Sequence, residues 1–593
     1  MKLSDVVIEF LAERGIRHVF LVSGGGIMHL VDSVGRNPRV QHISNYHEQA
    51  CAIAAEAYAR VTNGPGACLV TTGPGATNAL SSIPGAWFDS VPVIVLSGQV
   101  RLPLIADYTR VRQLGPQEVN IIPMVKPVTK FAKTIREAAT VRTELDRAFT
   151  EAVSGRPGPV WVDLPLDMQA TEIDDAAFPP PTTTQTPDIS AAVAQTVELL
   201  KNARRPMLVA GHGIRLGHAV DALGAFIDIA KIPVVMPISS MDLVPDANPF
   251  HMGAFGPIGR RAANFAVQNS DLLISIGASL SIASTGFNTA GFAPRAKKVV
   301  VNIDSGEIEK SSLNIDLPVI GDAGDFLRQL TSALAGVELP SRDRWLNACA
   351  AWKERYPPGP PPDFLDDRYV NSYALAEELS NQMKEGEIVV GGISLDVCSI
   401  YQSFHIKEGQ RVLINANYGA MGWDLPAAVG ACVAADGARV VLVTGDGSIQ
   451  FNIHELMTVR ANNLNLRIFV LNNQGYESIR TTQNNYFESR YVGSDFGSGI
   501  GNPNFGKLAE AYGIGYQRLD DPSKLAEGVR AALDHDGPLL CEVIISPNQQ
   551  RTPRTSSFRR EDGSMESRPI EDLFPFLPRE EVHENMHMFD DEA

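Results

Sequence analysis

Asp446 and Asn473 are the residues whose types and spacing first suggest chemistry. Asp446 is the centre of a Gly-Asp-Gly turn (445–447), and Asn473 closes an Asn-Asn pair. A carboxylate and an amide carbonyl are oxygen donors, the set that a hard divalent cation takes at near-octahedral geometry. Gly445 and Gly447 let a phosphate approach the backbone, and phosphate oxygens would complete the cation's shell. Each motif alone is an ordinary turn composition. Their combination carries the weight, because each follows an apolar run.

The elements that must position them can be read from the same stretch. Val440–Val443 is short, apolar and β-branched, the pattern of a buried parallel strand, so Asp446 falls at a carboxyl-terminal strand edge. Ser448 is the expected N-cap of a helix carrying Ile449, Ile453, Leu456, Met457 and Arg460 at helical spacing. That helix would turn its unpaired N–H groups toward the phosphate. Leu466–Leu471 reads as a second strand ending at Asn472 and Asn473. The whole is one βαβ unit with oxygen ligands at both strand ends.

This arrangement resembles the signature of thiamine diphosphate (ThDP) enzymes, most closely the acetolactate synthase and pyruvate oxidase group, and the resemblance covers most of the chain. It implies ThDP and Mg2+ as cofactors, with Asp446, Asn473 and the Gly475 carbonyl as metal ligands. Gly445, Gly447, Ser448 and Tyr476 are implied as further cofactor contacts. In ISNYHEQACAIAAEAYARVTN, a short strand delivers Glu48 to the start of an alanine-rich helix. The resemblance makes Glu48 the catalytic carboxylate that pairs with the cofactor's aminopyrimidine ring. Such a group needs an apolar pocket, for which Ala50, Ile53 and Ala54 are candidate walls. The turn TTGPGATNAL resembles the family segment that faces the cofactor across a dimer interface, implicating Gly73 and Asn78. GAMG resembles the turn whose apolar residue wedges between the cofactor rings, implicating Gly419 and Met421.

Gly25, Gln117 and Ile479 match substrate-pocket positions of the group, and Gln117 and Glu118 match its Gln-Glu pair. Three positions depart from acetolactate synthases: Pro116 replaces an aromatic wall, Ser279 an arginine that holds the acceptor keto acid, and Thr482 a tryptophan. Glu477 does not align with the decarboxylase acid and reads as solvated surface. The segments AGHGI (210–214), Asp304 and GDA (321–323) resemble flavin contacts, so FAD is a possible third cofactor.

At 593 residues, with 44% apolar side chains and 50 glycines, the chain exceeds one core. The expected fold is α/β, with three doubly wound Rossmann-like domains and mostly parallel sheets. The expected divisions are a pyrimidine-binding domain (1–175), a central domain (190–335), a diphosphate/Mg-binding domain (368–550) and a charged tail (551–593). Proline-rich linkers, FPPPTTTQTPD and RYPPGPPPDF, separate them. The first part of the tail reads as mobile, and its aromatic-proline part as packing over a subunit or a site.

A formal charge of −17, without a basic block, argues against a nucleic-acid partner. The six cysteines lie far apart without CxxC spacing, as in a reducing compartment. No stretch reads as a signal peptide or a membrane span, so the expected location is cytoplasmic. The expected partners are a 2-keto acid, a carbonyl acceptor and further copies of the chain, in a dimer or tetramer with active sites at the subunit interface. The expected reaction is decarboxylation of pyruvate and transfer of the two-carbon unit to a carbonyl, with a nucleotide-activated keto sugar favoured as acceptor. Acetolactate synthesis proper, plain decarboxylation or oxidation, and a catalytically silent ThDP-binding scaffold are the alternatives.

Overall fold

A computed structural model describes residues 1–174, 178, 187–310, 313–560 and 562–592. Most of the first proline-rich linker lies outside the described residues. The apolar β-branched runs form three six-stranded sheets, parallel throughout. The first holds β1 (His18–Leu21), β2 (Gln41–Ser44), β3 (Gly66–Val70), β4 (Val93–Gln99), β5 (Phe131–Thr134) and β6 (Val160–Pro165), in the order β2-β1-β3-β4-β6-β5. The second holds β7 (Pro206–Ala210), β8 (Val234–Met236), β9 (His251–Ala254), β10 (Leu272–Ile276), β11 (Lys297–Asn302) and β12 (Leu317–Ile320), in the order β12-β11-β10-β7-β8-β9. The third holds β13 (Ile388–Gly391), β14 (Arg411–Leu413), β15 (Val440–Gly445), β16 (Leu466–Asn472), β17 (Gly515–Leu519) and β18 (Leu539–Ile544), in the order β14-β13-β15-β16-β18-β17.

The first and third sheets share one winding, and the middle sheet has that of a dinucleotide-binding fold. In each, the order reverses beside an inner strand, which opens a crevice at the carboxyl ends. The α/β expectation therefore holds in all three.

The first and third sheets are joined by a single core. Helix Glu48–Thr62 packs along helix Asp424–Ala434, and the contact is close enough that a β-carbon on Gly430 would stand 2.1 Å from the Ala54 carbonyl oxygen. Helix Asp343–Arg355 belongs with the middle sheet, because Trp345 and Trp352 are buried in its core. The middle body thus continues past residue 335.

The tail has two parts. Its first part forms a short antiparallel hairpin, β19 (Ser557–Arg559) and β20 (Met565–Ser567). The aromatic part docks on the middle body of the same chain: Phe589 is buried against Trp345, and Asn264 Nδ2 donates to the Ile570 carbonyl at 2.7 Å. The apolar rings explain this, since they find a core to enter. Among the described residues no helix is long and apolar enough to cross a membrane.

Candidate active site

The carboxyl edge of the first sheet gathers five of the expected residues. Beyond β1, Gly25 and Gly26 form a short 3-10 turn, pinned where the Gly26 N–H donates to Thr71 Oγ1 at 3.2 Å. Beyond β2, Glu48 opens its helix behind His47, whose Nδ1 accepts from the Gln49 N–H. Beyond β3, Asn78 Nδ2 donates to Glu48 Oε2 at 3.0 Å. Gly73 has φ +65°, and a β-carbon there would stand 1.9 Å from the Gln117 carbonyl oxygen. A glycine is required by both conformation and space, and it seats Gln117 beside the turn.

One expectation at this edge is corrected: Ile53 and Ala54 do not wall Glu48. They are turned into the interdomain core, one helical turn and more from the carboxylate, and the groups around Glu48 are Thr71, Gly75 and Asn78. Glu118 follows Gln117 in the loop. It is buried and clasps its own loop, accepting from the N–H groups of Ala106 and Leu114. Burial opposes its charge, yet these donors outweigh burial and hold its carboxyl below the usual range.

The carboxyl edge of the third sheet gathers the remainder. Asp446 is 1% exposed, and its Oδ2 accepts from the Gly475 N–H at 3.1 Å and Asn502 Nδ2 at 2.6 Å. Burial nevertheless pushes its carboxyl up. Turned as its neighbours require, the Asn473 amide donates to the Gly475 carbonyl oxygen at 2.6 Å and to Asp446 Oδ1 at 3.3 Å. Asp446, the Asn473 carboxamide and the Gly475 carbonyl thus meet at one point, and their oxygens are the donor types that a hard cation such as Mg2+ takes. Arg480 fixes the turn by donating to the carbonyls of Asn473 and Gln474. Neither Asn502 nor Arg480 carries a motif that sequence reasoning could have used, since both reach the site from beyond Gly475.

Ser448 does not cap an α-helix. A 3-10 segment, Ile449–Glu455, with a non-helical Asn452, precedes helix Leu456–Ala461. Ser448 Oγ instead accepts from the Gly422 N–H at 2.9 Å, and Asn452 Nδ2 donates to the Gly422 carbonyl. The segment is bent because it must hold the Gly419–Gly422 turn, which leaves Met421 half-buried, outside the main cores. Gly447 is covered by the ring of Tyr476, whereas the space beside Gly445 is open. A phosphate approach is therefore available at Gly445.

Among the described residues, buried polar atoms without a partner recur along these edges: Thr72 Oγ1, Asp396 Oδ2, both polar atoms of the Asn415 side chain, and Asn452 Oδ1. Such atoms cost free energy unless a ligand satisfies them. That fits a polar cofactor here. The two edges are tied by Glu455, fully buried, which accepts from Asn45 Nδ2 at 2.8 Å and the Tyr46 N–H at 2.9 Å.

Glu477 is not solvated surface. It is 7% exposed, ion-paired with Arg551 Nε at 3.2 Å, and accepts from Ser394 Oγ and Thr481 Oγ1. Its partner comes from the tail, which explains why local sequence misplaces it. Ile479 and Thr482 are exposed on the same helix, Glu477–Tyr486, and Pro116 is exposed in its loop.

In the middle body a cavity of about 290 Å³ opens at the crevice between β7 and β10, lined by Gly213, Ser279, Asn302, Glu307 and Asp322 among others. Small-ligand sites span roughly 300–1,000 Å³. Asp304, the third flavin-like position, pairs instead with Arg156 at 3.1 Å and caps the next helix.

Three known domains match the chain: the N-terminal TPP binding domain of thiamine pyrophosphate enzymes over residues 1–124, the central domain over 193–330 and the C-terminal TPP binding domain over 395–543. Among curated proteins, acetolactate synthase isozyme 2 large subunit of Escherichia coli is 32% identical over 543 residues, covering 91% of this chain and 94% of that one. The acetolactate synthase large subunit of Lactococcus lactis is 31% identical over 557 residues, 93% of each. The mitochondrial acetolactate synthase of Schizosaccharomyces pombe is 30% identical over 583 residues, 93% of this chain and 84% of that one.

Proposed function

The chain belongs to the ThDP-dependent enzyme family of the acetolactate synthase group, and from that premise we propose that it is a Mg2+-dependent carboligase that decarboxylates pyruvate and transfers the two-carbon unit to a carbonyl acceptor larger than a second pyruvate. ThDP, when bound, supplies the carbon that adds to the keto acid and the ring that takes up the electrons left by carbon dioxide. Asp446, Asn473 and the Gly475 carbonyl would hold the Mg2+ that accompanies the diphosphate. Glu48 would be the carboxylate that pairs with the aminopyrimidine, held in place by Asn78, which donates to its Oε2. Met421 would stand against the cofactor, and Gly25, Gln117 and Ile479 would border the substrate.

The observation that carries the carboligase reading is the match to acetolactate synthase large subunits over 91% and 93% of this chain. The exposed Pro116 and Thr482 leave the mouth without the bulky walls of the relatives, which favours a large acceptor such as a nucleotide-activated keto sugar. Exposed Met28, Tyr46 and Phe451 support a homodimer or higher oligomer whose second copy covers these edges.

The test is carbon dioxide release from pyruvate by the ThDP–Mg2+ protein, with products identified with and without a nucleotide-activated keto sugar. Release that depends on the sugar, with a branched sugar formed, is the expected result. Acetolactate formed at full rate without added acceptor would return the protein to acetolactate synthesis proper.

A further inference from the structure

Where β18 ends, residues 545–551 cross the carboxyl edge of the third sheet before the tail leaves for the middle body. Backbone contacts fix this passage: the Thr552 N–H donates to Tyr373 Oη at 2.9 Å, the Thr555 N–H to the Pro257 carbonyl at 2.7 Å, and the Arg554 N–H to the Phe574 carbonyl at 3.0 Å. Two arginines are thereby held side by side. Arg551 pairs with Glu477. Arg554 is half-buried over the Phe574 ring, and among the described residues its guanidinium makes one long hydrogen bond, 3.5 Å to the Thr555 carbonyl. Burial, and then the neighbouring Arg551, pull Arg554 below its ordinary range, while Glu477, Cys398 and Tyr486 act in the opposite sense. Among the described residues, Arg551 has Glu477 as its ion-pair partner, and no carboxylate lies within ion-pair distance of Arg554.

The position of this excess charge matters. Glu477 directly follows Tyr476, whose ring covers Gly447, and Ser394 Oγ, just beyond β13, donates to Glu477 Oε2 at 3.3 Å. The pair therefore stands at the outer margin of the cofactor edge, next to the helix that carries Ile479 and Thr482. Guanidinium groups bind phosphate oxygens through paired, charge-assisted hydrogen bonds, and a large acceptor must cross this margin to reach the reacting carbon.

We propose that Arg551 and Arg554 form an anion subsite that binds the phosphate groups of the acceptor. The proposal rests on the carboligase reading of the same active site and adds to it that the acceptor is phosphorylated. A nucleoside diphosphate and a sugar phosphate share that chemistry, and the assay separates them.

The experiment is calorimetric titration of the ThDP–Mg2+ holoenzyme with uridine diphosphate and, separately, with glucose 6-phosphate. The variants are Arg554→Gln, which keeps the Glu477–Arg551 pair and so the tail's anchor, Arg551→Gln, and Arg559→Gln as a control on the exposed hairpin. The expected result is affinity about tenfold weaker in Arg554→Gln and unchanged in Arg559→Gln. Tighter uridine diphosphate identifies a nucleotide-activated acceptor, and tighter glucose 6-phosphate a simple phosphate ester. No binding by the wild type, or equal affinity in Arg554→Gln, overturns the subsite. Product assays separate the two claims. Arg554-dependent binding without any branched product would sink the carboligase reading alone. Product formed with an unchanged acceptor KM in Arg554→Gln would sink the subsite alone.

Discussion

Asn78 Nδ2 donates to Glu48 Oε2 at 3.0 Å, joining the turn after β3 to the first residue of the helix after β2. The same carboxylate faces Gly75, where a β-carbon would stand 3.1 Å from Oε1. One oxygen is oriented by a donor, and the other has small neighbours. This is the geometry of a carboxylate kept available to a ligand.

Glu48→Gln should therefore lower turnover about 10²–10⁴-fold while preserving the fold and most ThDP affinity. Carbon dioxide release and cofactor titration on one preparation check it. A variant with wild-type turnover would remove Glu48 from proton exchange.

Asn502 touches Asp446 Oδ2 at 2.6 Å and Asn472 Oδ1 at 3.1 Å, so it orients the metal carboxylate from outside. Loss of such a partner typically weakens metal binding about 10–100-fold. Asn502→Ala should show that loss when Mg2+ is titrated in the presence of ThDP, and chelation should release ThDP from the wild type. Unchanged Mg2+ dependence would show that Asn502 only closes its own loop.

Gly73→Ala would place a methyl on the Gln117 carbonyl in a backbone region that side chains avoid. The conformation alone costs about 1–3 kcal/mol. A lower denaturant midpoint, together with a raised keto-acid KM as the 113–118 loop shifts, is expected. An unshifted midpoint would mean that the loop yields freely.

Asp163 is buried within β6, and burial pushes its carboxyl from the ordinary 3.8 to about 6 despite donors from Ser97, Thr134 and Gln99. The folded state then binds this proton more tightly than the unfolded chain. The resulting contribution is fully present below about pH 4 and is lost as pH rises to about 6, by up to about 3 kcal/mol. Asp163→Asn should flatten the stability profile across that window. A profile with the wild-type slope would place the titration elsewhere.

The sequence by itself determined the strands and the residues at their ends. Apolar β-branched runs have few alternatives to buried parallel strands, and the residues that stop them must fall at a strand edge. For that reason Asp446 and Asn473 were legible, as was the α/β class, whereas Glu48 and Gly73 came from the resemblance to ThDP enzymes. Tertiary structure decided what meets those residues. Glu477 was read as surface because its partner, Arg551, lies far along the chain. Ser448 was read as a helix cap because the Gly422 N–H that claims its hydroxyl belongs to another turn. Ile53 was assigned to a pocket wall from its neighbours in sequence, whereas interdomain packing sets its direction. Hydrophobic periodicity reports only whether a position is inward. Which charge or donor stands opposite it depends on contacts between distant segments, and those exist only once the three sheets and the tail have packed.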